Sequence, residues 1–284
     1  MDYKFADDLV AIRNILGMTQ SELAQQLHVE QATISRNECN VTEPSLQLME
    51  NVYRFAFSKN LKLNRLKEML WQQSMTVNQK LLFHGAKESI KGALSVNAGR
   101  VNNDFGQGFY TGETYEQAVT FVSGYEHSSV YYLTFDQKEL KCKQYHVDQE
   151  WMITIAYYRG ELNAYKEHPH LKSIIAQSRN CDYIIAPIAD NRMFEIIDSF
   201  IQGEITDEQC KHCLAATNLG NQYVFINDKA ISHIKILERG YLADNEKNYY
   251  KELRRSESHL GQDKVKLARI QYRGRGKYID EIFN

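Results

Sequence analysis

No apolar run in the 284 residues approaches the roughly 18 consecutive residues that a membrane helix needs. The first residues, Met1-Asp2-Tyr3-Lys4, lack the basic-then-apolar layout of a secretory signal. Cysteine is sparse: five residues, an odd number without framework spacing, fit a reducing compartment better than a disulfide scaffold. An excess of one charge is also lacking, since a formal net charge of −2 gives no global pull toward nucleic acid. Low-complexity segments and internal repeats are absent. What remains is 43% hydrophobic and 25% charged residues, the balance of a soluble globular protein. At about 100–200 residues per domain the length has room for two. These features predict a cytoplasmic, two-part protein with no membrane partner.

The first part reads as helical. Phe5, Leu9, Ile12, Ile15 and Leu16 recur at helical spacing over 5–16. Thr19 is a natural N-cap, and Glu22 three residues later completes a capping box before Leu23, Ala24 and Leu27. After a turn at His28-Val29-Glu30 a third helix begins at Gln31, and a fourth follows Pro44, a good first-turn residue. The pattern resembles the helix-turn-helix of phage-repressor-type regulators, whose third helix enters the major groove. That resemblance implies DNA contacts from Gln31, Thr33, Ser35 and Arg36, with Gln20 near a phosphate. Gln suits adenine edges and Arg suits guanine or phosphate. Two features oppose it. Residues 1–57 carry four Lys/Arg against eight Asp/Glu, whereas DNA affinity rests on neutralising phosphates. Asn37 also occupies a position that such helices usually fill with a buried aliphatic residue. A helical interaction or dimerisation module is the other reading. Residues 59–73 read as an amphipathic basic helix, either solvated or touching phosphate through Lys59, Lys62, Arg65 and Lys67, and 72–76 as a linker.

From residue 80 the pattern changes to short strands mixed with helices. Strands are expected at 81–85, 130–135, 183–188 and 223–226, and helices at 115–122, 151–158 and 193–201. The polar loop 92–103 carries Gly92 and Gly99. The expected architecture is multidomain: an all-α domain over 1–73, an α+β domain over 77–240, and a polar, mildly basic extension over 241–284 containing Arg273-Gly274-Arg275-Gly276-Lys277-Tyr278. The extension reads as a solvated helical tail, or one touching nucleic acid or a partner subunit.

The second part is organised around Asp104-Phe105-Gly106-Gln107-Gly108-Phe109-Tyr110-Thr111-Gly112. Two glycines one residue apart permit a tight turn and a close backbone approach. With Phe83-His84-Gly85 upstream and Asn221-Gln222-Tyr223-Val224-Phe225 downstream, the stretch resembles the His-Tyr-Glu signature of diphtheria-toxin-like and poly(ADP-ribose)-polymerase-like ADP-ribosyltransferases. Asn221 to Leu237 looks like the closing strand and helix of those enzymes. The run is also similar to an uncharacterised bacterial family with this fold, over roughly 80–238.

The resemblance implies NAD⁺ as substrate. His84 would hold an adenosine-ribose hydroxyl, the Gly85 backbone the nicotinamide amide, and Tyr110 would stack on the nicotinamide ring, with Phe121 the second stacking aromatic. Gln222 stands where these enzymes commonly carry Glu; it keeps a hydrogen-bond acceptor but has no charge and cannot act as a base. Chain elongation is therefore not expected, while a single transfer is, with Asp104 or Asp190 as candidate bases. Asp190 reads equally as a helix cap. Arg100 suits a pyrophosphate or solvent, and Asp104 also borders the expected cofactor site. Cys210-x-x-Cys213 with His212 is half a zinc site at best, and no metal is expected. The expected activity is NAD-dependent mono-ADP-ribosylation by a toxin or phage-defence effector. Its acceptor would be protein or nucleic acid; operator DNA, an antitoxin or regulatory protein, and a second copy are the other candidate partners. The alternative is a transcriptional regulator whose second domain is inactive and senses NAD⁺ or ADP-ribose.

Overall fold

The computed structural model describes residues 3–215 and 220–284, without the side chains of 191 and 257–260. Five helices lead: α1 (Phe5–Ile15), α2 (Gln20–Leu27), α3 (Gln31–Glu38), α4 (Leu46–Ser58) and α5 (Leu63–Gln73). Strands β1 (Gln79–Ala86) and β2 (Phe109–Gly112), helix α6 (Tyr115–Val122), and strands β3 (Ser129–Asp136) and β4 (Cys142–Gln144) follow. Next come α7 (Gln149–Arg159), α8 (Pro169–Arg179), β5 (Tyr183–Pro187), α9 (Asn191–Ile201), α10 (Asp207–Ala215) and β6 (Asn221–Phe225). The chain closes with α11 (Asp228–Ile231), β7 (Ile234–Tyr241), α12 (Asp244–Gln271) and α13 (Ile279–Ile282). A helical region thus precedes a mixed α+β region. Contacts group the residues into two compact units of interleaved stretches. The first comprises Met1–Lys91, Thr114–Phe135 and Lys235–Leu253; the second comprises Gly92–Glu113, Asp136–Ile234 and Arg254–Asn284.

In the first unit the leading helices close over Leu9, Ile12, Leu23, Ala24, Ile34 and Val52. Thr19 caps α2 as its sequence predicts: its hydroxyl accepts from Glu22 N at 3.2 Å, and Glu22 Oε2 accepts from Thr19 N at 2.7 Å. His28 ends α2 in the left-handed region at φ 55°. Pro44, expected in the first turn of α4, lies before the cap; Ser45 supplies the cap by accepting from Leu48 N at 3.2 Å. The basic helix expected from residue 59 starts only at Leu63, because Asn60 takes a left-handed φ of 62° and breaks the run.

Lys67 does not face solvent or phosphate either. Its ammonium lies between Asp8, at 2.5 Å, and Glu238, with the side chain 12% exposed. Tyr53 donates to Asp8 at 2.5 Å and Trp71 Nε1 to Glu238 at 3.1 Å. Burial raises the Asp8 pKa despite the Lys67 ammonium beside it. Strands β1, β3 and β7 are neighbours in that order, and α6 packs on β1 over Phe83, Val119, Val122 and Tyr132. The helix expected to close the fold after β6 is a single turn, α11; the chain then runs into strand β7.

In the second unit β6 lies between β5 and β2, antiparallel to both, and β4 runs parallel to β5. The core centres on Trp151, Met152, Ile155, Ile197, Phe200 and Val224. The alternation of β6 is masked in the sequence because Tyr223, Val224 and Phe225 are all buried. The Arg273–Tyr278 stretch, expected to be solvated or to touch nucleic acid or a partner subunit, is exposed at every residue, while its backbone is docked. Lys277 N donates to Asp207 Oδ1 at 2.7 Å, Asp207 N donates back to Lys277 O at 2.9 Å, and Thr206 Oγ1 donates to Arg275 O.

Candidate functional site

The glycine turn belongs to the second unit, and each glycine has a separate reason. Gly106 has φ +75°, and a Cβ there would come within 2.9 Å of the Tyr158 ring. Gly108 needs no special φ, but a Cβ would lie 2.8 Å from Phe225 O, so its absence lets the loop approach β6. Tyr110 returns onto this turn. Its hydroxyl donates to Gly106 O at 2.7 Å and accepts from Phe105 N at 3.1 Å. Burial raises the phenol pKa further above its ordinary value, so the group stays neutral.

Strand register then places Tyr110 opposite Val224, and Gln222 opposite Gly112 on one side and Ala186 on the other. Paired residues of antiparallel strands share a face, so Tyr110 and Gln222 are diagonal neighbours on one face of the sheet. The residues facing Gln222 are glycine and alanine. The Gln222 amide is anchored by Asp104: Gln222 Nε2 donates to Asp104 Oδ2 at 2.9 Å and to Pro187 O at 3.2 Å.

Asp104 is buried and also accepts from Arg159, at 2.5 Å from Nη2 and 3.1 Å from Nε, and from Ala189 N at 3.4 Å. Sequence reasoning missed Arg159. It ends a helix with no motif around it, 55 residues from its partner. Asp190 takes the capping alternative. It accepts from Arg192 N and Met193 N at the start of α9, and pairs with Arg192 and Arg254. Arg100 is exposed, with no ion pair among the described residues.

His84, Gly85 and Phe121 belong to the first unit. His84 is half-buried near the end of β1. Gly85 is a packing glycine, since a Cβ there would meet Ala118 O at 2.5 Å and Val122 Cγ1 at 2.8 Å in α6. Phe121 is 70% exposed and therefore not a core aromatic.

A family described as "Protein of unknown function (DUF3990)" matches residues 80–236, more than half of the chain. The chain belongs to this family. No curated protein and no solved structure matches it. The DUF3990 span contains His84, Gly85, Arg100, Asp104, Tyr110, Phe121, Arg159 and Gln222, and excludes helices α1–α5 and α12.

Outside the DUF3990 span, the candidate DNA-contact residues are partly committed to one another. Gln31 Nε2 donates to Gln20 Oε1 at 2.6 Å, and Gln20 Nε2 donates to Glu38 at 2.6 Å. Glu38 also pairs with Arg13 at 2.7 Å. Ser35 is half-buried and Arg36 exposed. Thr33, Arg36 and Asn37 line an open cavity of about 380 Å³ with Glu43 and Leu48. Asn37 is buried where an aliphatic residue was expected; its Nδ2 donates to Thr33 O, and its Oδ1 has no partner among the described residues.

The Cys210–Cys213 pair is buried on the inner side of α10. Cys210 Sγ lies 3.6 Å from Ile196 O and Cys213 Sγ 3.7 Å from Val265 O, and burial raises both thiol pKa values. His212 turns away to stack on Tyr272 at 3.5 Å. No group of three or more potential metal ligands occurs among the described residues, and no helix among them is long and apolar enough to cross a membrane.

Proposed function

We propose that the DUF3990 part is an NAD-dependent mono-ADP-ribosyltransferase acting as a toxin or phage-defence effector. The observation carrying this reading is the placement of Tyr110 and Gln222 on one sheet face, beside a glycine turn tied down by the Tyr110 hydroxyl itself. A ring fixed at its far end offers a rigid stacking surface, and a rigid surface orients a departing nicotinamide at low entropic cost. The acceptor nucleophile bonds to the ribose anomeric carbon as the carbon–nitrogen bond to nicotinamide breaks. The bonding pair leaves with the ring nitrogen, which becomes neutral, and the acceptor's proton passes to water. Gln222 Oε1 holds a ribose hydroxyl through this step. Arg100 contributes the pyrophosphate contact. The leading helices act as a repressor-type module for DNA binding, autoregulation or dimerisation.

The full chain incubated with labelled NAD⁺ and host lysate, then divided between protease and nuclease, tests the activity. Label removed by nuclease alone identifies a nucleic-acid acceptor, and label removed by protease alone a protein. Absence of label, with no nicotinamide released, sinks the transferase. One observation favours a second reading, an inactive NAD⁺- or ADP-ribose-sensing regulator: Gln222 has no charge, and the adjacent Asp104 is paired with Arg159. Retention of NAD⁺ without turnover would select it. For the leading helices, no mobility shift of DNA even at low salt would end the DNA-binding role.

A further inference from the structure

A primary amide has two N–H donors on one side and a single carbonyl acceptor on the other. The Gln222 nitrogen faces two groups that can only accept, the Asp104 carboxylate at 2.9 Å and Pro187 O at 3.2 Å. A flipped amide would set Oε1 against both. The orientation is therefore dictated by chemistry, and Oε1 is directed away from them. Asp104 is itself immobile. Arg159 grips its Oδ1 through Nε and Nη2, and Nη2 donates also to Ala189 O at 3.1 Å. The guanidinium lies over the Phe194 ring at 4.3 Å. An arginine held on both its polar edge and its flat face cannot swing to another carboxylate.

We infer that Asp104 and Arg159 are positioning residues of the transferase site, holding the Gln222 amide so that Oε1 accepts the nicotinamide-ribose hydroxyl. This rests on the NAD⁺ reading above. Its consequence is that Gln222 is not a degraded glutamate. The acidic group stands one side chain further back, in Asp104, and acts through the amide. A glutamate in place of Gln222 would face a second carboxylate and a carbonyl, so one of the two acids would have to bind a proton.

The test is a cycle of Gln222→Glu, Asp104→Asn and the double variant in the full chain, reading nicotinamide release between about pH 6 and 9, where such a shared proton is lost. Gln222→Glu lowers kcat by about ten-fold or more at the alkaline end, with a smaller change in KM, because an interaction serving the transition state is disturbed. Its rate recovers as pH falls. Asp104→Asn alone lowers kcat, yet added to Gln222→Glu it raises activity above that of Gln222→Glu, since the introduced asparagine amide can donate to the introduced carboxylate. A Gln222→Glu protein as active as wild type across that range overturns the inference. A separate readout does not depend on turnover: Tm of Gln222→Glu falls more steeply with rising pH than that of wild type or the double variant, which share only the fall due to Glu246. If wild type releases no nicotinamide, the NAD⁺ reading fails by itself. The orientation of Gln222 then stands on the Tm series, and a Tm for Gln222→Glu that falls no more steeply with pH than that of wild type overturns it.

Discussion

Each compact unit buries carboxylates against a cation, and the two clusters end differently. In the first unit Lys67 lies between Asp8 and Glu238, with Tyr53 and Trp71 donating to the same two acids. Every participant points at another participant. In the second unit Arg159 holds Asp104, Asp104 holds Gln222, and the chain of contacts stops at an amide whose oxygen is directed elsewhere. A closed network of buried charge serves the scaffold, because its whole interaction energy is spent against its own desolvation. A network that terminates in an oriented acceptor is the feature on which the proposed site rests. Burial alone does not separate the two, since both sets of carboxylates are nearly inaccessible.

Breaking the closed cluster has the largest expected effect. Lys67→Met leaves Asp8 and Glu238 buried without their cation and costs about 3–5 kcal/mol, read by chemical denaturation at neutral pH. A loss below about 1 kcal/mol, the worth of a surface pair, would mean that the cluster is hydrated and not closed.

Glu246 sharpens the comparison through pH. It is buried, accepts from Tyr115 Oη at 2.9 Å and from Asn64 Nδ2 at 3.1 Å, and burial pushes its pKa up to about 7 from 4.5. A carboxyl whose pKa is higher in the folded state binds its proton more tightly there. Its stabilisation is therefore complete below about 4.5 and is lost as pH rises through about 7. Glu246→Gln is expected to flatten the fall in unfolding free energy across that window by at most roughly 3 kcal/mol. Equal slopes for wild type and variant would show that Glu246 ionises without penalty.

Asp104→Asn is a milder break. The asparagine is isosteric and keeps a carbonyl for Arg159, so the stability loss should be about 1–2 kcal/mol, well below that of Lys67→Met. If denaturation gave it the larger loss of the two, Asp104 would be as much a scaffold residue as Lys67. Smallest is Thr19→Ala, which removes a solvent-side cap from α2 and costs about 1 kcal/mol, measured in the same way. No change would place the start of α2 under packing control alone.

Several elements and turns were legible from short stretches because their causes are short-range. The Thr19–Glu22 box, the periodicity of α1 and α6, the turn at Gly106 and the apolar strand around Ile184 each depend on residues within a few positions of one another. The failures have the same origin. A helix beginning at residue 59 satisfied hydrophobic periodicity, but the left-handed Asn60 interrupts it. Lys67 belonged to a basic stripe by pattern, yet its partner Glu238 is 171 residues away.

The candidate site divides in the same way. Its residue types stood in the sequence as the glycine turn with Tyr110 and as Gln222 in place of an acid. Their arrangement within the second unit did not. The alignment of Gln222 with Gly112 and Ala186, the 118-residue separation between Gln222 and Asp104, and the closure by Arg159 depend on strand register and helix docking. Those are chosen by which faces bury together, a long-range packing outcome that no local pattern encodes. Local patterns were enough to place many of the backbone segments and to say which polar groups are available. Long-range packing chose which acids close around a lysine and which one holds the Gln222 amide.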